Sequence, residues 1–140
     1  MERTLCIIKP DGLQNDHAGE IINRIEREDF RIIGMKKSRL SRHAAEHFYA
    51  VHKERVFFND LVNYMTSGPV ILIALERENA VSHWRTVIGA TDPAEADAGT
   101  IRKLHGVNKE KNTVHGSDSP ENGMIEISVF FSEQELIEQR

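Results

Sequence analysis

Apolar positions in this chain recur in short runs and in helical stripes. Residues 4–9 are largely apolar and stop at Pro10, Asp11 and Gly12, which predicts a buried strand entering a sharp turn. Residues 18–28 place Ile21, Ile22 and Ile25 on one side and Glu20, Arg24 and Arg27 elsewhere, the spacing of an amphipathic helix. Residues 30–40 form a strand candidate, with Ile32 and Ile33 apolar and Lys36, Lys37 and Arg39 towards its exposed end. Ser41 reads as the N-cap of a helix over 42–52 that carries Ala44, Ala45, Phe48 and Tyr49. Residues 56–65 are apolar on more than one side, as in a helix pair packed across a gap or an aromatic lip on a pocket. Thr66 to Pro69 break that segment, and 70–75 is the expected central strand. A helix over 79–88 follows, with Val81, Trp84, Val87 and Ile88 on its buried face. Residues 94–102 are expected to make one or two short helical turns, and 103–111 a polar, irregular stretch. The segment 121–131 reads as a helix or as helix passing into strand, with 125–130 completing the sheet, and 132–140 is a charged tail. This order predicts an α+β or α/β chain, with an antiparallel-capable sheet and helices over one face.

Composition narrows the class without changing that picture. At 140 residues, with no internal repeat and no linker-like shift in composition, the chain is expected to form one domain over 1–140. A formal charge of −4 argues against a general nucleic-acid or membrane-surface binder, which needs a net basic face. A local basic pocket is compatible with it. The single cysteine, Cys6, lies in the apolar run 5–8, reads as a small core residue, and fits a reducing compartment. Lys9-Pro10-Asp11 cut the N-terminal apolar run short of a secretory core, and the longest apolar run, 70–75, is far below spanning length. A cytoplasmic location is expected.

Chemistry gathers in residues 112–119, NTVHGSDS, a polar loop that delivers His115 to the mouth of a helix capped by Ser119 with Pro120 behind it. Imidazole is nucleophilic and partly neutral near pH 7, and a neighbouring glycine lets backbone approach a bulky ligand. Taken alone, His115 reads as a loop histidine. Its company decides otherwise: Lys9 at a strand end, Arg85, Thr91, Arg102 and Asn112 all fall at segment ends or in polar loops. Three cations, a hydroxyl, an amide and a nucleophile are what a polyphosphate site requires, and Phe57 offers a flat face for a base. Neither a Gly-rich phosphate loop nor a dinucleotide fingerprint is present, so backbone cradling is not the expected mode. His43 and His47 stand four apart on the predicted helix, but no third ligand has a telling spacing. With His52 they are expected to be surface residues rather than a metal site.

Six collinear stretches carry a family likeness: ERTLCIIKPDG, FYAVHKERVFF, LVNYMTSGPV, WRTVIGATDP, GTIR and NTVHGSDS. Through them the chain resembles the nucleoside diphosphate kinases over nearly its whole length, from Glu2 to about Phe131. The resemblance implies a ferredoxin-like α+β sandwich with a four-stranded antiparallel sheet and helices over it. It implies ping-pong transfer of the γ-phosphate of a nucleoside triphosphate, mainly ATP, to other nucleoside diphosphates through a phosphohistidine at His115. Residue by residue, Glu126 matches the carboxylate that orients the imidazole, Ser117 the hydroxyl supporting that pair, and Tyr49 the family tyrosine near the histidine. Lys9 and Asn112 match contacts to phosphate and ribose. Arg85, Thr91 and Arg102 match phosphate contacts, and Phe57 and Leu61 line the base slot. Mg2+ is implied as a cofactor arriving on the nucleotide, with no direct protein ligand and at most a water-mediated contact to Asp118. A homo-oligomer, tetramer or hexamer, with no need of membrane or nucleic acid, is also implied.

The chain departs from the family pattern at Lys103-Leu104-His105, where Gly-Asp-aromatic is common, and at Val56 and Arg77, where proline and glycine are common. The first departure falls in a loop that bears on subunit contacts. A catalytically silent, ferredoxin-like binding module is the competing expectation, and it predicts loss of some of Lys9, Arg85, Arg102, Asn112 or His115. A signalling phosphocarrier would need neither Phe57 nor three cations. All of these residues are present.

Overall fold

The computed structural model describes residues 1–138. Four strands, β1 (Glu2–Ile8), β2 (Arg31–Ser38), β3 (Val70–Arg77) and β4 (Val114–His115), form one antiparallel sheet in the order β2-β3-β1-β4. Seven helices accompany it among the described residues: α1 (Pro10–Gln14), α2 (Ala18–Arg27), α3 (Arg42–Phe48), α4 (Phe58–Met65), α5 (Ala80–Ile88), α6 (Ile101–His105) and α7 (Pro120–Phe130).

Alternation along the central strands divides the core in two. Cys6 and Ile8 on β1 and Ile73 and Leu75 on β3 pack with Ile21, Ile25, Trp84 and Ile88 from α2 and α5. Their neighbours Leu5, Ile7, Leu72 and Ala74 point the other way and pack with Tyr49, Met65, Ile127 and Phe131. Both faces of the sheet are therefore covered, where the segment order alone led to helices over one face. That is why β1 and β3 read as continuous apolar runs rather than alternating ones. Burial holds the Cys6 thiol far above its ordinary pKa, consistent with a core residue.

Several boundaries differ from expectation for local reasons. Pro10, Asp11 and Gly12 open α1 instead of a sharp turn, because proline's fixed φ suits a first helical position. The segment over 42–52 breaks after Phe48 and resumes as a short 3-10 turn, Ala50–His52. Helix α6 runs to His105, inside the stretch expected to be irregular, on a Thr100 cap whose hydroxyl accepts from the Lys103 amide. Residues 125–130 are helical, within α7, so the strand expected there does not form. The fourth strand is the two-residue β4, which delivers His115 to the sheet edge beside Ile7. At the opposite edge β2 bulges between Ile32 and Gly34, and the Ile137 amide donates to the Ile33 carbonyl at 2.8 Å. Capping of the outer edge by the chain's own tail leaves less of it to pair elsewhere.

Candidate active site

His115 is positioned by sheet pairing from below and by a helix from above. Its partner Ile7 faces the α3/α7 side, and the imidazole follows it to that side. Trp84 Nε1 donates to the His115 carbonyl at 3.3 Å, while Gly116 passes so close to the Trp84 and Ile88 side chains that a Cβ there would lie 2.8 Å from the indole. Above, α7 starts at Ser119, whose hydroxyl accepts from the Asn122 amide, with Pro120 at the first position. At Gly123 the helix rides on β1: a Cβ there would lie 2.4 Å from the Arg3 carbonyl oxygen. That close approach brings Glu126, one turn on, to the imidazole.

The resulting cluster is compact. His115 Nε2 donates to Glu126 Oε1 at 2.8 Å, and the Ser117 hydroxyl donates to the same oxygen at 2.7 Å. Ser117 is wholly buried and fixed by the strand edge, since its Oγ accepts from the Leu5 amide and its own amide donates to Thr4 Oγ1. A hydrogen on Nε2 leaves the lone pair of the neutral ring on Nδ1. The Phe48 ring stands edge-on to the imidazole with centroids 5.4 Å apart, and Tyr49 packs edge-on to Phe48 in turn. The Tyr49 hydroxyl is buried without a hydrogen-bond partner among the described residues. Burial, and then the charge of Glu126, hold its pKa well above the ordinary phenol value.

A second network joins Lys9, Thr91, Arg102 and Asn112 beside the entry to β4. Lys9, at the end of β1, donates from Nζ to Asn112 Oδ1 at 2.7 Å, and Asn112 Nδ2 donates to the Thr91 carbonyl at 3.0 Å. Arg102 spans from α6 to two loops, donating to the carbonyls of Gly89 at 3.0 Å and Val114 at 2.9 Å. Its Nε is buried and has no partner among the described residues. Burial first, and the neighbouring Arg102 next, lower the Lys9 pKa to about 8 against the smaller opposing pull of Asp11 and Glu110. Arg102 is lowered to about 10 by burial and by Arg85, yet it stays charged at neutral pH. Arg85, Thr91 and Arg102 line one cavity of about 420 Å³. A larger groove, about 780 Å³, runs along Met1, Arg3, Arg31 and Met124 and contains none of these residues.

The expected base-slot residues lie at the start of α4. Phe57 immediately precedes α4, is 43% exposed, and leans on the His52 ring with centroids 5.5 Å apart. Leu61 follows one helical turn later, its amide donating to the Phe57 carbonyl. Asp118 is exposed and accepts from Asn122 Nδ2. His43 and His47 are exposed.

Two supports had no clear signal in the sequence. Phe48 sits beside a helix end in a stretch rich in aromatics, and nothing local marks it as a wall for His115. Asp11, taken for a turn residue, is buried: its carboxylate accepts from the Tyr64 hydroxyl, and its amide donates back to the Tyr64 oxygen at 2.9 Å. Tyr64 is thereby held far from ionising, chiefly by burial and then by its bond to Asp11. Beside this pair Thr113 takes a positive φ of 78°, and its carbonyl accepts from the Lys9 amide at 2.9 Å. The pair thus braces the chain where it turns into β4.

The sequence model for nucleoside diphosphate kinase matches residues 2–136. The chain belongs to the nucleoside diphosphate kinase family. The kinase of Geotalea daltonii is 57% identical over 98% of this chain and 100% of its own length, and that of Chlorobaculum tepidum 55% identical over 98% of each. Among solved structures, the Aquifex aeolicus nucleoside diphosphate kinase superposes with a TM-score of 0.95 at 43% identity, covering 97% of this chain and 99% of its own. The Halobacterium salinarum enzyme, solved in complex with CDP, does so at 0.96 and 37%, covering 99% and 93%. The chain is accordingly a nucleoside diphosphate kinase, a phosphotransferase of nucleotides, with the ferredoxin-like α+β fold that the likeness implied.

Proposed function

We propose that His115 is the nucleophile of a ping-pong reaction and that the residues around it divide the work between orientation and charge. One observation carries the reading: the 2.8 Å bond from His115 Nε2 to Glu126, itself tied to Ser117, which leaves the Nδ1 lone pair free. Nδ1 attacks the γ-phosphorus of a nucleoside triphosphate, mainly ATP. The P–N bond forms as the bond to the β,γ-bridging oxygen breaks, and the diphosphate leaves with that electron pair. A terminal oxygen of a second diphosphate then attacks the phosphohistidine and returns the lone pair to Nδ1. Glu126 stabilises the positive ring that forms in between, and Ser117 holds Glu126 in place. Tyr49 backs this pair through Phe48.

Lys9, Arg85 and Arg102 supply the positive charge that the transferring phosphoryl group and its neighbours need, while Asn112 and Thr91 take up sugar and phosphate oxygens. Phe57 and Leu61 offer the base a face without a hydrogen-bonding edge reader, so a broad range of nucleosides is expected. The donor set here is cationic. Among the described residues the one His/Cys/Asp/Glu group able to surround a metal ion is His17, Glu20 and His105, which contains no residue of this site. That fits Mg2+ arriving on the nucleotide, neutralising phosphate charge, with Asp118 in reach of it only through water. We read residues 1–140 as one domain, located in the cytoplasm and needing no nucleic acid. Among the described residues no helix is long and apolar enough to cross a membrane. Exposed Val56, Leu104, Val107, Met124 and Ile125 support a homo-oligomer, tetramer or hexamer.

The decisive experiment is a single-turnover incubation with γ-labelled ATP and magnesium, one portion then treated with acid or alkali and another, still native, chased with unlabelled GDP or dTDP. Label that is acid-labile, alkali-stable, mapped to His115 and discharged onto either diphosphate is the expected result. His115→Ala should fold normally and take up none. If that variant still phosphorylated ADP from GTP, the assignment of the nucleophile would be wrong.

A further inference from the structure

A second cluster of ligand-type side chains lies outside the nucleotide site. His17 is the N-cap residue of α2, Glu20 lies in the first turn of α2, and His105 is the last residue of α6. One donor atom from each lies within 4.8 Å of the other two. His105 Nε2 stands 3.1 Å from Glu20 Oε2, near the roughly 3.3 Å expected between neighbouring ligands of a tetrahedral zinc with bonds of about 2.0–2.1 Å. The two imidazole rings stack at 4.0 Å with an interplanar angle of 29°. Both backbones are fixed: the His17 amide donates to the Gly12 carbonyl, and α6 is capped at both ends by Thr100 and by the Gly106 amide. The carboxylate arm is free to adjust, since the Glu20 side chain is 71% exposed whereas that of His105 is 13%.

We propose that His17, Glu20 and His105 form a binding site for a divalent transition-metal ion of the zinc class, with water completing the coordination. Two nitrogens and one carboxylate oxygen suit zinc, cobalt, nickel or copper, whereas magnesium and calcium prefer oxygen ligands throughout. To ligate, the neutral His105 ring carries its one hydrogen on Nδ1 and offers the Nε2 lone pair to the metal, while the Glu20 carboxylate turns from that hydrogen to the ion. The third ligand closes by rotation of the His17 side chain out of its stack. A loaded site would staple the start of α2 to the end of α6. His105 stands where the family commonly carries an aromatic residue, so the site belongs to this chain's own departure from that pattern.

The test uses untagged, full-length protein stripped with a chelator, then titrated with Co2+ and with Zn2+ in excess Mg2+. One equivalent should bind, the Co2+ form should gain visible d–d absorption, and Zn2+ should raise the melting temperature by several degrees. His105→Phe and Glu20→Gln should each weaken binding by at least about tenfold and remove the thermal shift, while His43→Ala changes neither. Glu20 is exposed, so its variant remains informative even if His105→Phe folds poorly. Binding that is indifferent to Glu20→Gln, that spreads over several weak surface sites, or that is absent in excess zinc overturns the proposal.

Discussion

The two walls of the proposed nucleotide site are built to different standards. On the phosphate side Lys9 is fixed by Asn112, Asn112 by Thr91, and Arg102 by the carbonyls of Gly89 and Val114. Lys9, Arg102 and Asn112 are buried, and His115 is held from beneath by β1 and from above by α7. On the proposed base side Phe57 is nearly half exposed, its ring leans on the His52 ring, and Val56 beside it is fully exposed. The contrast suits the proposed reaction. A phosphoryl group moves through a fixed point in space and gains from donors that need no rearrangement. The base only has to be parked, and a surface that grips it loosely accepts many of them.

The largest test of this division is to damage the phosphate wall at Lys9. Lys9→Met removes a charge that the proposal sets against the transferring group, and kcat/KM should fall by roughly a hundred- to a thousandfold, with melting temperature little changed or raised. The wild-type enzyme carries its own version of this experiment. With Lys9 lowered to about 8, kcat/KM should decline as pH rises through 8, and the decline in kcat should come later, because bound polyphosphate favours the charged amine. Stability moves the opposite way. The folded chain gives up this proton near pH 8 while the unfolded chain keeps it to the ordinary lysine value, so the unfolded state binds more protons in between. The Lys9 contribution to stability therefore rises between those pH values. Lys9→Met should flatten both trends. Unchanged pH profiles in the variant would remove Lys9 from the site.

A smaller effect is expected from loosening the support of the imidazole. Glu126→Gln keeps the shape but loses the charge that stabilises the ring, and kcat should drop by about ten- to a hundredfold. Gly123→Ala reaches the same contact from a distance. Its Cβ would collide with the Arg3 carbonyl, so α7 must shift off β1 and carry Glu126 with it. Stability should fall by about 1–3 kcal/mol, and kcat should fall more than KM rises. A variant that is destabilised yet keeps full kcat would show that His115 tolerates looser orientation than the geometry indicates.

How much of this was legible in the sequence varied with how the information is stored. Strands β1 and β3 and helices α2 and α5 were plain because their buried residues are contiguous or regularly spaced in the chain. Strand β4 was not, since two residues carry no periodicity and the pairing belongs to Ile7 and Ile8 as much as to Val114 and His115. Helix α7 was half legible: Gly123 and Ile127 are its deeply buried positions while Met124 and Ile125 stay exposed, so no clean apolar stripe exists, and residues 125–130 mimic a strand. Lys9, Arg85, Thr91, Arg102, Asn112 and His115 could be collected by residue type and by their place at segment ends. Glu126 and Ser117 came only with the family likeness, and the bracing by Phe48, Asp11 and Tyr64 not at all, because it exists only as tertiary contact.

The smallest effect is expected on the base wall, and it sharpens the comparison most. Phe57→Ala removes a stacking face that is already open to water, so its loss should raise KM by about three- to tenfold for every nucleotide, at the low end of what base stacking is worth. Because stacking is equally strong in ground and transition states, kcat should stay within about twofold of the parent. The informative comparison is between purine and pyrimidine acceptors, ADP and CDP, since a bigger ring loses more contact area on a flat surface. A modest purine penalty, confined to KM, would fit a wall that parks the base and takes no part in the chemistry. A collapse in kcat for either acceptor would mean that the base side positions the phosphate after all, and the division between a rigid and a permissive wall would have to be given up.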